Sequence, residues 1–224
     1  MKKFQATYPR TYKAIKYGGK ALQVANQAYN MAKVVASIVN SEKKYFDTAL
    51  SIAPDSATAN ITCLTNMAQG DTNITRNGNT IALKSLELRG QIFQPVVETN
   101  RIMLVRDNDN LGGSAPTITD ILESNSVAAL RNKNTPKRFT VLYDKTISGT
   151  NNMIMNKKIK YYKKFKMMKD SKGNPTRSVK LMFDGPNAAD YTRGHIFLVV
   201  MGDVATASTT STLTANARIR FYDN

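Results

Sequence analysis

Residues 77–106 read NGNTIALKSLELRGQIFQPVVETNRIMLVR, and the fold turns on how this stretch is read. Asn77-Gly78 is a strong turn signal, and the β-rich run Ile81 to Val97 that follows is long enough for a full strand. Within it Ile81 and Leu83 share one parity while Leu86 and Leu88 share the other. A strand presents alternate residues to opposite faces, so the slip predicts a β-bulge near Lys84-Ser85. A second strand, Arg101 to Arg106, runs into a loop rich in Asn, Asp and Gly. Working outward, the same grammar of short β-rich segments and polar turns predicts strands at 60–65, 138–143, 157–168, 178–183, 195–201 and 217–222. One short helix follows Pro116 at 117–122, with Thr117 or its neighbour as cap. Eight strands and one small helix predict an all-β chain folded as a single eight-stranded jelly roll.

The residues before this body have a different character. The chain carries 32 Lys+Arg against 16 Asp+Glu, a net charge of +16, which implies a polyanionic partner. Residues 1–50 account for +7 and residues 157–180 for +9, so the other 150 residues sum to zero. Lys2, Lys3, Arg10, Lys13, Lys16 and Lys20 precede or follow a Gly18-Gly19 break and read as a flexible basic arm. Ala25, Ala28, Tyr29, Ala32, Val35, Ala36 and Val39 then recur at helical spacing, predicting a helix over 20–45. Its alanine-rich stripe needs a partner surface, and an arm that orders on assembly is preferred over a helix packed in the core of the same domain. The predicted organisation is an arm and helix over 1–50 and a jelly-roll domain over 51–224.

Lys157 to Met168 (KKIKYYKKFKMM) separates by parity into Ile159, Tyr161, Phe165 and Met167 on one side and Lys158, Lys160, Lys164 and Lys166 on the other. Such alternation predicts a half-buried strand whose lysine face could track phosphates, with a merely solvated face or a nuclear-import signal as other readings.

Chemistry is scarce. One histidine, His195, and one cysteine, Cys63, exclude an intrachain disulfide and a Cys/His zinc site. Asp107 and Asp109 in R-D-N-D-N read as a turn after a strand rather than a two-metal centre, and His195 as structural rather than a general base. No enzyme is expected. The longest apolar run, Ile196 to Met201, is too short to span a bilayer, and an alanine-rich helix would bind one only weakly, so no stable membrane association is expected.

Several segments resemble one family in order and spacing. Met67-Ala-Gln-Gly-Asp-Thr-Asn-Ile, then Arg76-Asn-Gly-Asn-Thr and the strand Ile81 to Gly90, resemble the B to C region of satellite tobacco necrosis virus coat protein. Met103-Leu-Val-Arg-Asp-Asn-Asp-Asn with Ala115-Pro-Thr-Ile-Thr-Asp-Ile-Leu is similar to its strand D, loop and short helix, Lys137 to Asp144 to its strand E, and Ile196 to Asp203 to its strand H. Capsid proteins of small circular single-stranded DNA viruses share this jelly roll and look like the nearer relatives. The resemblance implies two four-stranded sheets, BIDG and CHEF, an inward basic arm with its helix, and a T=1 shell in which sixty copies bind one another around a single-stranded viral genome. The protein would then be a virion component made and assembled in the host cytoplasm or nucleus, binding nucleic acid through Lys2, Lys3, Arg10, Lys13, Lys16, Lys20, Lys158, Lys160, Lys164 and Lys166 without sequence preference. Sixty copies of +16 give about +960, the scale of a genome of roughly one to two thousand nucleotides. The resemblance also implies structural calcium between subunits, at the main-chain carbonyls of Asn77 and Thr80 and the carboxylate of Asp223, with a metal-free interface as the other reading because a single carboxylate is a weak site by itself. A cellular single-stranded nucleic-acid-binding protein or chaperone is the alternative, and the sequence carries no RNA-binding signature in its favour.

Overall fold

The structure, a computed structural model, describes residues 20–32, 42–95, 97–110, 114–149, 155–165, 168–169, 175–176, 179–190, 192–205 and 211–223. The chain divides into two compact units, Met1–Ser41 with Lys169–Thr176, and Glu42–Met168 with Arg177–Asn224. In the first, residues 20–32 form helix α1, every residue of it exposed.

The second unit is the β body. Its strands are β1 (Glu42–Ile52), β2 (Asn60–Cys63), β3 (Thr80–Gln94), β4 (Thr99–Asp107), β5 (Phe139–Ser148), β6 (Met155–Lys164), β9 (Lys180–Met182), β10 (Ile196–Gly202) and β11 (Thr212–Asp223), with helix α2 (Ile118–Ile121) between β4 and β5. Two two-residue strands, β7 (Met168–Lys169) and β8 (Pro175–Thr176), form a separate two-stranded ladder among the described residues. One sheet runs β1-β11-β3-β6, with β9 also paired to β3; the other runs β2-β10-β4-β5. Each named pair within these two sheets is antiparallel.

This connectivity is the jelly roll, and it corrects the expected strand assignment. The helix was expected to run on to Tyr45 and the shell domain to begin at residue 51. Instead Glu42–Ile52 is a strand, paired along all of its 11 residues with β11. Each subsequent strand through β6 therefore moves on by one letter. Thr80–Gln94, expected as strand C, pairs with the last strand and takes the place of D; Thr99–Asp107 becomes E and Phe139–Ser148 becomes F. The sheets are then BIDG (β1, β11, β3, with β6 and β9 together as G) and CHEF (β2, β10, β4, β5).

The expected bulge is present. Arg220 pairs with Ser85 but Phe221 with Leu83, leaving Lys84 as the extra residue, which is why buried Ile81 and Leu83 and buried Leu86 and Leu88 have opposite parity. Between the sheets lies the main core, to which Leu86, Leu88 and Ile92 of β3, Ile219 and Phe221 of β11, and Phe197 of β10 contribute.

The two outer faces are treated differently. All seven residues of β10 are buried, because a second apolar cluster covers the far side of the CHEF sheet: Met103, Val105, Val199 and Met201 pack beneath Ile121 and Leu122 of α2 and its C-terminal end. The connection is tied down by ion pairing, since Arg138 grips the buried Asp107 carboxylate at 2.9 Å and Arg101 that of Asp144 at 2.7 Å. Asp107 also accepts the Asp109 N–H at 3.2 Å, in keeping with the turn expected from the sequence. Arg138 and Arg101 are held firmly protonated by these hydrogen bonds.

Candidate nucleic-acid interface

The outer face of the BIDG sheet has no such cover among the described residues, and the strand register fixes which side chains it presents. On β11 the inner set is Leu213, Ala215, Ala217, Ile219 and Phe221, all buried, so Thr214, Asn216, Arg218, Arg220 and Tyr222 face out. On β6, Ile159 is buried while Lys158, Lys160, Tyr162 and Lys164 are exposed. Three rows cross the sheet: Tyr45–Arg220–Ser85–Lys164, Asp47–Arg218–Glu87–Tyr162 and Ala49–Asn216–Arg89–Lys160. With Lys43, Lys84 and Lys158, the face holds eight basic side chains against the two carboxylates of Asp47 and Glu87.

Those two carboxylates organise the arginines. Arg218 donates to both oxygens of Asp47 at 2.7 and 2.6 Å, and this hydrogen bonding holds the Asp47 carboxyl below its usual range. Glu87 accepts from Arg89 at 2.5 Å and from Arg220 at 3.3 Å, and its carboxyl is likewise lowered, chiefly by Arg89. The guanidinium planes are thereby fixed on the sheet, with donors to spare for an incoming anion. The five lysines make no ion pair with a carboxylate among the described residues. On β6, Lys158 and Lys160 lie about 6.7 Å apart along the strand, and Lys164 follows on the same parity beyond Tyr162.

Aromatic side chains lie among these charges. Tyr162 is 58% exposed, Tyr45 44% and Phe93 39%. Arg218 lies over the Tyr45 ring at 5.2 Å and Lys84 near that of Tyr222 at 5.5 Å. A shallow depression of about 470 Å³ is bounded by Lys84, Glu87, Arg89, Lys160, Tyr162 and Arg220. Charged groups that follow a backbone, alternating with open ring faces, are the combination that binds single-stranded nucleic acid without reading its sequence.

The structure thus brings Lys158, Lys160 and Lys164 of the expected binding set onto one face. Lys20 lies at the start of α1 in the other unit, and Lys2, Lys3, Arg10, Lys13, Lys16 and Lys166 lie outside the described residues. Lys43, Lys84, Arg89, Arg218 and Arg220 were missed, although the strict alternation of 212–222 shows the two arginines of β11. Lys43 and Lys44 were counted with the arm; both belong to β1, where Lys43 faces out and Lys44 is buried.

The expected calcium ligands have other partners. The Asp223 carboxylate, 1% exposed, accepts the Asn77 N–H at 2.6 Å and lies 3.2 Å from the Lys44 ammonium. The Asn77 carbonyl accepts from the Gln69 side chain at 2.6 Å, and Thr80 opens β3 opposite Met182. Calcium needs six to eight oxygens at about 2.3–2.6 Å. A carboxylate already facing an ammonium and a carbonyl already accepting an amide do not fit that demand. Among the described residues no cluster of three or more His, Cys, Asp or Glu could hold a metal ion.

Neither single-copy residue is arranged for catalysis. His195 follows Gly194, whose φ of +86° and the Lys180 carbonyl, which lies where a Cβ would go, leave room only for glycine. The ring is held between the Thr65 hydroxyl and the Met182 carbonyl, each at 2.9 Å, and packs edge-on to Phe183. Burial pushes its pKa down to about 4, so it stays neutral, with Nε2–H donating to the carbonyl and Nδ1 accepting from Thr65. Burial pushes the Cys63 thiol up to about 11, away from the thiolate a nucleophile needs.

Fold and surface together define a jelly-roll shell subunit with one covered sheet and one bare, basic sheet. The family model for satellite tobacco necrosis virus coat protein matches residues 19–223, and the chain belongs to that family. It is therefore a viral coat protein, a structural component of a virion that associates with itself in a capsid, and not an enzyme. No curated protein matches the sequence. Among solved structures, one of Desmodium yellow mottle tymovirus is similar over 82% of this chain and 88% of its own, at 13% identity and a TM-score of 0.32. Trichodysplasia spinulosa-associated polyomavirus VP1, in complex with sialylated glycooligomers, is similar over 83% and 95% of the two chains at 10% identity and a TM-score of 0.17. The fold assignment rests on the strand connectivity. Among the described residues no helix is long and apolar enough to cross a membrane.

Proposed function

We propose that this coat protein assembles as sixty copies into a T=1 shell and packages a single-stranded genome through the bare BIDG face together with the N-terminal arm, without sequence specificity. The observation that carries the reading is the segregation of charge by face: eight basic side chains against two acidic ones on the one sheet surface left uncovered among the described residues. Lysines and arginines that neutralise phosphates release condensed counterions, which supplies affinity that falls steeply with salt. Sixty copies at +16 amount to about +960, matched to the phosphates of a small genome. The resemblance to capsids of small circular DNA viruses makes single-stranded DNA the proposed cargo, and the host cytoplasm or nucleus the proposed place of assembly.

Purified protein viewed by negative-stain microscopy tests the assembly, and nuclease digestion of the extracted nucleic acid tests the cargo. Uniform shells on the order of 200 Å across that contain DNase-sensitive, RNase-resistant single strands support the proposal. A monodisperse monomer at every salt concentration, the behaviour of a cellular single-strand-binding protein, would overturn it.

A further inference from the structure

The residues that the family resemblance assigns to calcium hold a lysine instead, and the surroundings of that lysine are unusually complete. Lys44 lies on the inner parity of β1, the side that carries Leu50 and Ile52 into the core further along the strand. It is 2% exposed, and Asp223 at the far end of β11 is 1% exposed. The Lys44 ammonium donates to the Asn77 side-chain carbonyl at 2.8 Å and lies 3.2 Å from Asp223 Oδ2. The same Asp223 oxygen accepts the Asn77 backbone N–H at 2.6 Å. One ammonium therefore joins the first strand, the last strand and the turn before β3.

That turn is itself held rigidly. Arg76, fully buried, donates to the carbonyls of Met67 at 3.1 Å, Gly78 at 2.9 Å and Gly185, and stacks 3.8 Å from the Phe183 ring. The oxygens around Lys44 are thus preorganised by their neighbours. Burying a carboxylate demands a compensating positive charge and hydrogen bonds; a lysine on the adjacent strand supplies both within one chain. A second cation of double charge beside this ammonium would be repelled at close range in a low dielectric.

We propose that Lys44 is a built-in cation that takes the place of a divalent ion at the Asn77–Asp223 turn, so that the coat protein and its shell are indifferent to calcium and to chelators at this position. The inference concerns the chain's own residues and stands whether or not the packaging proposal holds.

The test compares thermal unfolding of the full-length protein in calcium chloride and in EGTA, alongside Lys44→Met and the double variant Lys44→Met/Asp223→Asn. The wild type should unfold at the same temperature in both solutions. Lys44→Met strands a buried carboxylate, and its midpoint should fall by about 10 °C. Adding Asp223→Asn removes the stranded charge and should recover most of that loss. A wild-type midpoint that rises with calcium overturns the proposal, and needs no variant to be seen. A double variant no more stable than Lys44→Met overturns it equally, because Lys44 would then act by packing rather than by charge.

Discussion

The two sheets of this jelly roll bury their inner faces against each other but meet the outside on opposite terms. The CHEF sheet is covered: β10 is apolar and buried on both faces, and the segment around α2 closes over it. The BIDG sheet is bare, and its outer positions carry Lys, Arg and Tyr where the other sheet carries Met and Val. An apolar face must be covered to be stable, whereas a face of lysines and arginines is stable in water and waits for an anion. Stability should therefore reside in the first sheet and binding in the second, and substitutions on the two should separate cleanly.

The largest effect should come from the covered sheet. Phe197→Ala removes a fully buried ring of β10 from the main core and should cost about 3–5 kcal/mol in denaturant unfolding. Next is the joint between the sheets, where His195, just before β10, reaches the Met182 carbonyl of β9. Its folded pKa, about 4, lies below the ordinary 6.5, so the unfolded chain binds the proton more readily. Stability from this group is complete above pH 6.5 and is lost as pH falls from 6.5 towards 4, by about 3 kcal/mol in all. Unfolding midpoints measured across that range should fall with pH, and a flat profile would contradict the assignment of His195 as a neutral buried tie.

Smaller effects on stability, and larger ones on binding, belong to the bare sheet. Lys158→Ala/Lys160→Ala/Lys164→Ala should leave unfolding within about 0.5 kcal/mol per site. The same triple substitution should lower the salt slope of single-strand binding by about 2, at roughly 0.7 for each phosphate that is no longer neutralised. Loss of folding in this variant, with an unchanged slope, would reverse the roles assigned to the two sheets.

Much of this architecture was legible in residue parity. The slip between Leu83 and Leu86 announced the bulge at Lys84, and the alternation of 157–165 announced both the buried Ile159 and the outward lysines. What parity did not give was the first strand. In residues 43–52 the inner set is Lys44, Phe46, Thr48, Leu50 and Ile52, so two of its five members are polar, and the preceding alanine pattern carried a helical reading into it. As the edge strand of its sheet, β1 has one neighbour and needs less apolar surface than an inner strand. The missing first letter shifted the assignment of β2 to β6 while leaving their existence intact. The binding face was only partly legible for a related reason. Counting charge along the chain gave a neutral body outside 1–50 and 157–180, but that neutrality is an average over faces, and Arg89, Arg218 and Arg220 converge with the β6 lysines only when the strands pair.

Under the proposed packaging, the bare sheet holds the genome. Ultraviolet crosslinking of intact particles followed by peptide mass spectrometry tests this, because Tyr45, Phe93 and Tyr162 offer exposed rings on that face while α2 and its C-terminal end pack over the middle of the CHEF sheet. Crosslinks concentrated in 42–52, 80–94 and 155–164 are the predicted result. Crosslinks confined to the 115–138 segment over the other sheet, with none on these strands, would contradict it.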